Sequence, residues 1–482
     1  MTLTARGTHG YGSPLSVRSL LTRASPLALS LLLACAKAGL QPAPKLDWLH
    51  YPAWMAAYAD QDQLLVVNID QDLAFSDGWV TGFDRGSDTP GTGVVLGGAD
   101  VPNVAGKIMV LDPATAGACS GAFGQFQPPL ALVAGRTESA LYQIPLPLPT
   151  TPGQKVASNR IGLDPFSAAE PYGLAYTCGA DLVPRAWVGF QAGAGDVGYV
   201  SQVDLRANPI TGADVVEVNV GIGTPRSFAY DAAHDRLYFT GKEYLLRGAL
   251  RWIDVGQGCK TFDGGVQDES QGGCHVDVGW DLGAVLRGAE PNEIQLSSDV
   301  SPCTAGGYTG DCRRAYISVR IYDADLAHLS GTRPSSDIGG MLWVVELPEG
   351  GLGRPDPQVV QMLDVGVTAG DVHVIPRAGQ RDLVAVTVLD DGLLWLYDDE
   401  SGTMVKVIGS NAVGLPPLGH KPTAIVSKDL GNGVVRLFVS SFEDHFVTAV
   451  DVPVADPSAA QVATGTDGNG NVVPLRWKGN TP

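Results

Sequence analysis

The chain has 482 residues, 44% hydrophobic and 17% charged, which is too apolar for a disordered chain and rich enough for a large core. Its 61 glycines and 33 prolines point to many short strands joined by turns rather than to helices. With 32 basic against 51 acidic residues the net charge is −19, which argues against nucleic-acid binding by phosphate neutralisation and against charge-driven adhesion to anionic lipid.

From the N-terminus, Arg6, Arg18 and Arg23 are the only fixed side-chain charges before position 35. Residues from Ala24 to Ala34 are apolar apart from Ser25, Pro26 and Ser30. That run is shorter than the roughly 20 apolar residues that span a bilayer. A basic region, a short apolar run and small residues read as a secretory signal over residues 1–34. The segment Leu32-Leu33-Ala34-Cys35 resembles the bacterial lipobox. The resemblance implies acylation of the Cys35 thiol and cleavage just before it, with acyl chains anchoring the chain at about 0.8 kcal/mol per buried methylene. By the same resemblance, Ala36 in the place where an Asp would retain the protein at the inner membrane implies the outer membrane of a Gram-negative cell, on its periplasmic or surface face. An ordinary secretory signal with an incidental cysteine is the alternative. Cleavage leaves 448 residues and moves the charge from −19 to −22. Residues 35–46, with Gly39, Pro42 and Pro44, read as a flexible tether to a single domain over 47–482.

That domain repeats a three-part unit. The first part is a proline opening an apolar strand: Pro171 to Tyr176, Pro225 to Tyr230, Pro291 to Leu296 and Pro422 to Val426, with Asp371 to Ile375 lacking the proline and Pro52 opening a fainter copy. Proline suits the first residue of a strand, where its missing N–H costs least. The second is a strand led by Arg185, Arg236, Arg314, Arg381 or Arg436. The third ends in an acid: Gly198 to Asp204, Gly248 to Asp254, Gly340 to Glu346, Gly392 to Asp398, Phe446 to Asp451 and, earlier, Gly106 to Asp112. Ala140 to Leu146 fits poorly, with Pro145 in the acid's place. Seven units result, each with room for a variable fourth strand, which is the pattern of an all-β propeller of seven mostly four-stranded antiparallel blades. A pair of β-sandwiches is the rival, disfavoured by the recurring unit.

Proline, then Arg-Leu-Tyr-Phe, then an apolar strand closed by Asp, resembles the seven-bladed YVTN/lactonase-like β-propellers over roughly Pro52 to Val452. The resemblance implies a fold and leaves the activity open, since propellers host enzymes, binders and scaffolds.

Six cysteines follow Cys35, and in an exported protein an even number implies disulfides, with 15 pairings available. Sequence proximity suggests Cys303–Cys312 and Cys259–Cys274, leaving Cys119–Cys178. If the proline strand is innermost and runs downward from the top, the cysteines gather on the bottom face, Cys119 and Cys259 after third strands. They would there staple loops such as Gly256 to Gly288. The repeated acids read as turn-capping carboxylates at strand ends, and the repeated arginines as their partners between blades.

The top of the channel then gathers Glu170, Arg226, Glu290, Asp371, His373, His420 and Lys421, the candidate ligand site. His373 and His420 fall on adjacent blades, with Asp371 near in sequence. Asp467 to Asn471 starts like a calcium loop, but Val472 replaces the glycine and Lys478 the bidentate acid. It reads as a hairpin turn before Val472 to Trp477, a strand placed to close the ring against an N-terminal one. No nucleophile elbow, zinc-protease helix or dinucleotide fingerprint occurs, and no cysteine pair has zinc-site spacing, so no catalytic residue, metal ligand or cofactor is assigned. A structural or channel-bound divalent cation stays open. The expectation is a lipid-anchored, non-enzymatic envelope propeller that presents loops to a protein or glycan partner and touches membrane only through its anchor. The rivals are a lactonase-type hydrolase with a metal at the channel mouth and a structural subunit without a ligand.

Overall fold

In a computed structural model of the protein, the described residues are 42–43, 46–72, 74–86, 95–124, 127–163, 168–193, 198–221, 224–243, 247–255, 275–276, 280–281, 289–304, 308–322, 337–349, 356–409, 418–467 and 469–478. The signal segment with Cys35, most of the tether, Cys259 and Cys274 lie outside them.

The chain forms seven blade sheets in order. Strands β1–β4 (Pro52–Tyr58, Gln63–Asn68, Gly78–Asp84, Val95–Val101) make blade 1. Strands β5–β8 (Ala105–Leu111, Leu130–Gly135, Ala140–Pro145, Asn159–Gly162) make blade 2, and β9–β12 (Ala168–Cys178, Pro184–Gly193, Gly198–Asp204, Val215–Gly221) blade 3. Blade 4 has β13 (Ser227–Asp231), β14 (Arg236–Glu243) and β15 (Arg247–Asp254), with β16 (His275–Val276) and β17 (Trp280–Asp281) both paired to β15. Blade 5 is β18–β21 (Ala289–Pro302, Asp311–Tyr322, Asp337–Pro348, Gln358–Gly366), and blade 6 is β22–β25 (Ala369–Ile375, Leu383–Val388, Leu393–Asp398, Thr403–Gly409). Blade 7 has β26 (Pro422–Asp429), β27 (Val434–Ser441) and β28 (Phe446–Pro453). Outside β28 lie β29 (Gln461–Val462), the separate hairpin β30–β31 (Thr464–Thr466, Val472–Pro474) and β32 (Arg476–Lys478).

The first strand of each sheet is innermost: β1, β5, β9, β13, β18, β22 and β26 touch in succession, and β26 meets β1 to close the ring. The face on which these strands begin is the top. The apolar core is divided into interblade layers. Leu132 and Leu141 of blade 2 pack with Val188 and Phe190 of blade 3, Trp187 with Phe239 across blades 3 and 4, and so on around the circle. At the seam, Leu64, Val66 and Phe83 of blade 1 pack with Phe438, Val447 and Trp477 of the last blade. Each sheet is thus covered on both faces, which is why its strands are near-continuous apolar runs. The innermost backbones approach closely: a Cβ at Gly173 would stand 2.3 Å from Arg226 O, and one at Gly106 2.8 Å from Tyr172 O.

Four sequence expectations change. Gly106 to Asp112 is the innermost strand of blade 2, while the third strand of blade 1 ends at Asp84. Asp112 closes an apolar strand because it caps helix α1 (Pro113–Ala116), accepting the Thr115 N–H at 2.6 Å. Cys119 therefore follows an innermost strand, as Cys178 does, and the two form a disulfide at the bottom; Cys303 and Cys312 form another. Three of the repeated arginines pair with the repeated acid of their own blade, across neighbouring strands: Arg236 with Asp254 at 2.7 Å, Arg314 with Glu346 at 3.0 Å and Arg436 with Asp451 at 2.7 Å; Arg185 meets Asp181 in the turn before it, and Arg314 also reaches Asp399 of the next blade. The last segment splits at Leu475, and β32 pairs with β28 of its own blade rather than with an N-terminal strand. Asp467 does organise a hairpin turn, its Oδ1 accepting the N–H groups of Asn469 and Asn471 at 2.9 and 2.8 Å.

Candidate functional site

Six of the seven innermost strands lose register with their neighbour near the top. Such a bulge leaves a residue unpaired and re-aims its side chain. The residues released are Ala53, Gly106 and Lys107, Tyr172 and Gly173, Asn292, Gly370 and Asp371, and Thr423 and Ala424. Of these, Ala53, Tyr172, Asn292, Gly370, Asp371 and Thr423 line a cavity of about 190 Å³ at the channel mouth, with Trp54, Phe442, Arg136 and Arg320.

Lys107 (blade 2) donates to Glu293 (blade 5) and to Ser227 Oγ (blade 4), the latter at 2.8 Å. Ser227 Oγ in turn donates to Glu293 Oε2 at 2.7 Å. A cation from one side of the ring thereby reaches a buried carboxylate on the other, and the Lys107 ammonium also lies 5.5 Å from the Trp54 ring centroid. The second Glu293 oxygen is buried without a hydrogen-bond partner. Burial first, and the nearby Glu293 carboxylate second, hold the Tyr172 phenol well above its ordinary range.

Asp371 accepts the Ile425 N–H of blade 7 at 2.8 Å and its neighbour's N–H at 2.9 Å. Its carboxyl is pushed up to about 7 by burial first and by Glu293 second, against the lowering effect of Lys107. His373, two residues deeper, meets Ser427 Oγ at 2.8 Å, and burial pulls its imidazole down to about 4. Gln295 accepts the Val374 N–H at 3.0 Å, so side-chain-to-backbone bonds link successive blades around the channel.

Of the seven residues expected at the mouth, Asp371 alone lines the cavity. Arg226 and Glu290 form a buried ion pair between blades 4 and 5. Glu170 is exposed and meets Arg136 at 2.6 Å. His420 and Lys421 are half exposed and pair with Asp444 and Glu443 of their own blade, so His373 and His420 are not brought together. Lys107, Ser227, Glu293 and the arginines Arg136 and Arg320 were not anticipated. Their signal is positional: Lys107 and Glu293 both stand in the top part of an innermost strand, at or beside the residue its bulge releases.

A larger cleft of about 450 Å³ lies at the bottom between blades 5 and 6. Its charges are consumed internally. Arg314 bridges Glu346 at 3.0 Å and Asp399 at 2.5 Å, Tyr316 and Tyr397 donate to Asp399 at 2.9 and 3.1 Å, and Thr304 satisfies Glu346 through its N–H and hydroxyl. This polar network, in which Arg314 Nε alone of the named groups is buried without a hydrogen-bond partner, holds two blades together.

No protein-family model matches the chain, and no curated protein sequence does. Among solved structures the chain is similar to a putative 6-phosphogluconolactonase from Bacteroides uniformis, with 12% identity, 83% of this chain and 99% of that one covered, and a TM-score of 0.44. A periplasmic gluconolactonase of Pseudomonas aeruginosa is 13% identical over 85% and 87% of the two chains, with a TM-score of 0.36. The Dos1 propeller is 10% identical over 80% and 74%, with a TM-score of 0.42. The likeness concerns shape alone, and the ring of seven sheets rests on the strand pairing above.

Proposed function

We propose that the protein is a lipid-anchored, extracytoplasmic propeller of the cell envelope that binds a protein or glycan partner at its channel mouth without transforming it. The anchor reading rests on the lipobox-like segment ending at Cys35. The binding reading rests on one observation: Lys107, Asp371 and His373, the titratable groups at and below the mouth, are hydrogen-bonded within the protein, one Glu293 oxygen being left without a partner. Lys107 is held by Glu293 and Ser227, both Asp371 oxygens accept backbone N–H groups, and His373 meets Ser427. Besides Asp371 and Thr423, the groups facing the cavity include the aromatic and polar side chains Trp54, Tyr172, Phe442, Asn292, Arg136 and Arg320. Rings that pack against a ligand and a few polar groups that orient it make a recognition pocket. A lactonase-type hydrolase needs a cation site and a group that activates water. The candidates for both tasks, Asp371 and His373, are already used to join blades.

The test is a pull-down from detergent-solubilised envelope with wild-type protein and with Asn292→Ala and Tyr172→Ala, run beside metal analysis and a lactone hydrolysis assay. A partner retained by wild type and lost with the cavity variants, without turnover, is the expected result. Lactone turnover accompanied by a stoichiometric divalent ion overturns the reading. An N-terminal peptide without acyl mass on Cys35 removes the anchor.

A further inference from the structure

A second gathering of ligand-type side chains lies outside the channel, on the top of the seam. His50 lies two residues before β1, and Asp70 and Asp72 stand in the loop between β2 and β3. Each offers one donor atom, and the three donors lie within 4.8 Å of one another. We propose that His50, Asp70 and Asp72 bind one divalent first-row transition ion of the zinc type, which pins the entry of the chain where the ring closes.

Distances come first. His50 Nε2 is 2.9 Å from Asp72 Oδ1 and 3.8 Å from Asp70 Oδ1. Ligand atoms bound to zinc at 2.0–2.2 Å stand about 3.0–3.5 Å apart, so the His50–Asp72 pair already has a ligand spacing and the His50–Asp70 pair is about 0.3 Å wide of it. Electrostatics asks for the charge. Asp70 is fully buried, Asp72 lies beside it, and among the described residues neither carboxylate meets a lysine or arginine within 4 Å. One imidazole with two carboxylates suits zinc or manganese, whereas calcium prefers a shell of six to eight oxygens.

The donors are also oriented in advance. Asp70 accepts the N–H groups of Ala74 and Phe75 at 2.8 and 3.0 Å. The His50 N–H is held by Asn68 Oδ1 at 2.9 Å, and the His50 ring lies parallel to Trp79 at 5.9 Å and to His445 of blade 7 at 5.3 Å. Outer partners of this kind fix a ligand's direction. On binding, the ion takes the place of the hydrogen between His50 Nε2 and Asp72, and the imidazole ligates in its neutral form with its proton on Nδ1. The neighbouring His445 Nδ1 accepts the Tyr51 N–H at 3.0 Å, and the Tyr51 ring packs 5.1 Å from Phe442, which lines the mouth. The ion would therefore tie the entry strand to blade 7 and firm one wall of the cavity.

The experiment uses untagged protein stripped with chelator, then dialysed against about 10 µM zinc sulfate, with metal per chain measured by mass spectrometry and unfolding followed by heat. About one zinc per chain and a rise in Tm on the order of 3 °C are expected, since a ligand that binds only the folded state stabilises it by mass action. Cobalt(II) should give a visible d–d band. His50→Gln and Asp72→Asn should lose both the zinc and the band. His234→Gln, in the separate bottom cluster with Asp231 and Glu349, should keep them. Absence of retained zinc, retention by Asp72→Asn, whose exposed position leaves folding intact, or loss by His234→Gln alone overturns the proposal.

Discussion

The two ends of the ring use the same residue types differently. At the bottom, charges pair with strand neighbours or with the adjoining blade, as Arg314 does with Glu346 and Asp399. At the top, Lys107 reaches over the channel from blade 2 to Glu293 of blade 5. The first arrangement is local and repeats with the blade, so it can be written into every unit. The second exists only once seven blades are assembled, and it occupies the axis where a ligand would enter.

The largest expected effect breaks the bottom arrangement. Arg314→Ala leaves Glu346 and Asp399 buried without their cation, at a cost of about 3–5 kcal/mol in denaturant unfolding. Loss below about 1 kcal/mol would show that the network is dispensable. Next, Lys107→Met should cost about 2–3 kcal/mol by stranding Glu293, and adding Glu293→Gln should restore part of it. If the double variant is no better than the single, the cross-channel pair is not an energetic unit.

A third comparison is pH dependence at the top. Asp371, raised to about 7, holds a proton in the folded state that the unfolded chain has lost, so its contribution falls as pH climbs from about 4 to 7. His373, lowered to about 4, does the reverse: the unfolded chain binds the extra proton between about 4 and 6.5, and stability rises with pH over that window. The two slopes oppose each other. Asp371→Asn should expose a rising profile and His373→Gln a falling one, each on the order of 3–4 kcal/mol across its window by chemical denaturation. Identical profiles in both variants would reject the assignment. The smallest effect is expected at the rim, where the half-exposed Lys421–Glu443 pair predicts about 0–0.5 kcal/mol for Lys421→Ala.

Blades 3 to 7 were legible because arginine and acid, with proline in every copy but that of blade 6, punctuate three successive strands, and two of those marks pair across the sheet, as Arg236 and Arg436 show. Blades 1 and 2 were blurred by Asp112, an acid after an apolar strand that does the work of a helix cap. That one local resemblance moved an innermost strand to third place and took Lys107 out of view. Glu293 lay in full sight within a proline strand, but nothing in a sequence says which carboxylate will face a lysine 186 positions away. Disulfide partners were easier, since short separation and a common face suffice for Cys303 and Cys312. His420 and Lys421 were misplaced because exposed side chains follow their own turn, not the channel axis.

Among the described strands, blade 1 is built wholly from the first four and blade 7 wholly from the last, so no strand is exchanged where they meet. The junction is carried by apolar packing, by Lys428 and Asp62 at 2.5 Å and by Thr423 donating to Pro52 O at 3.1 Å. Such a ring behaves like a bracelet fastened by its clasp. A circular permutant that starts at another blade would keep every ladder intact, and slow breathing of the native molecule should begin at this join.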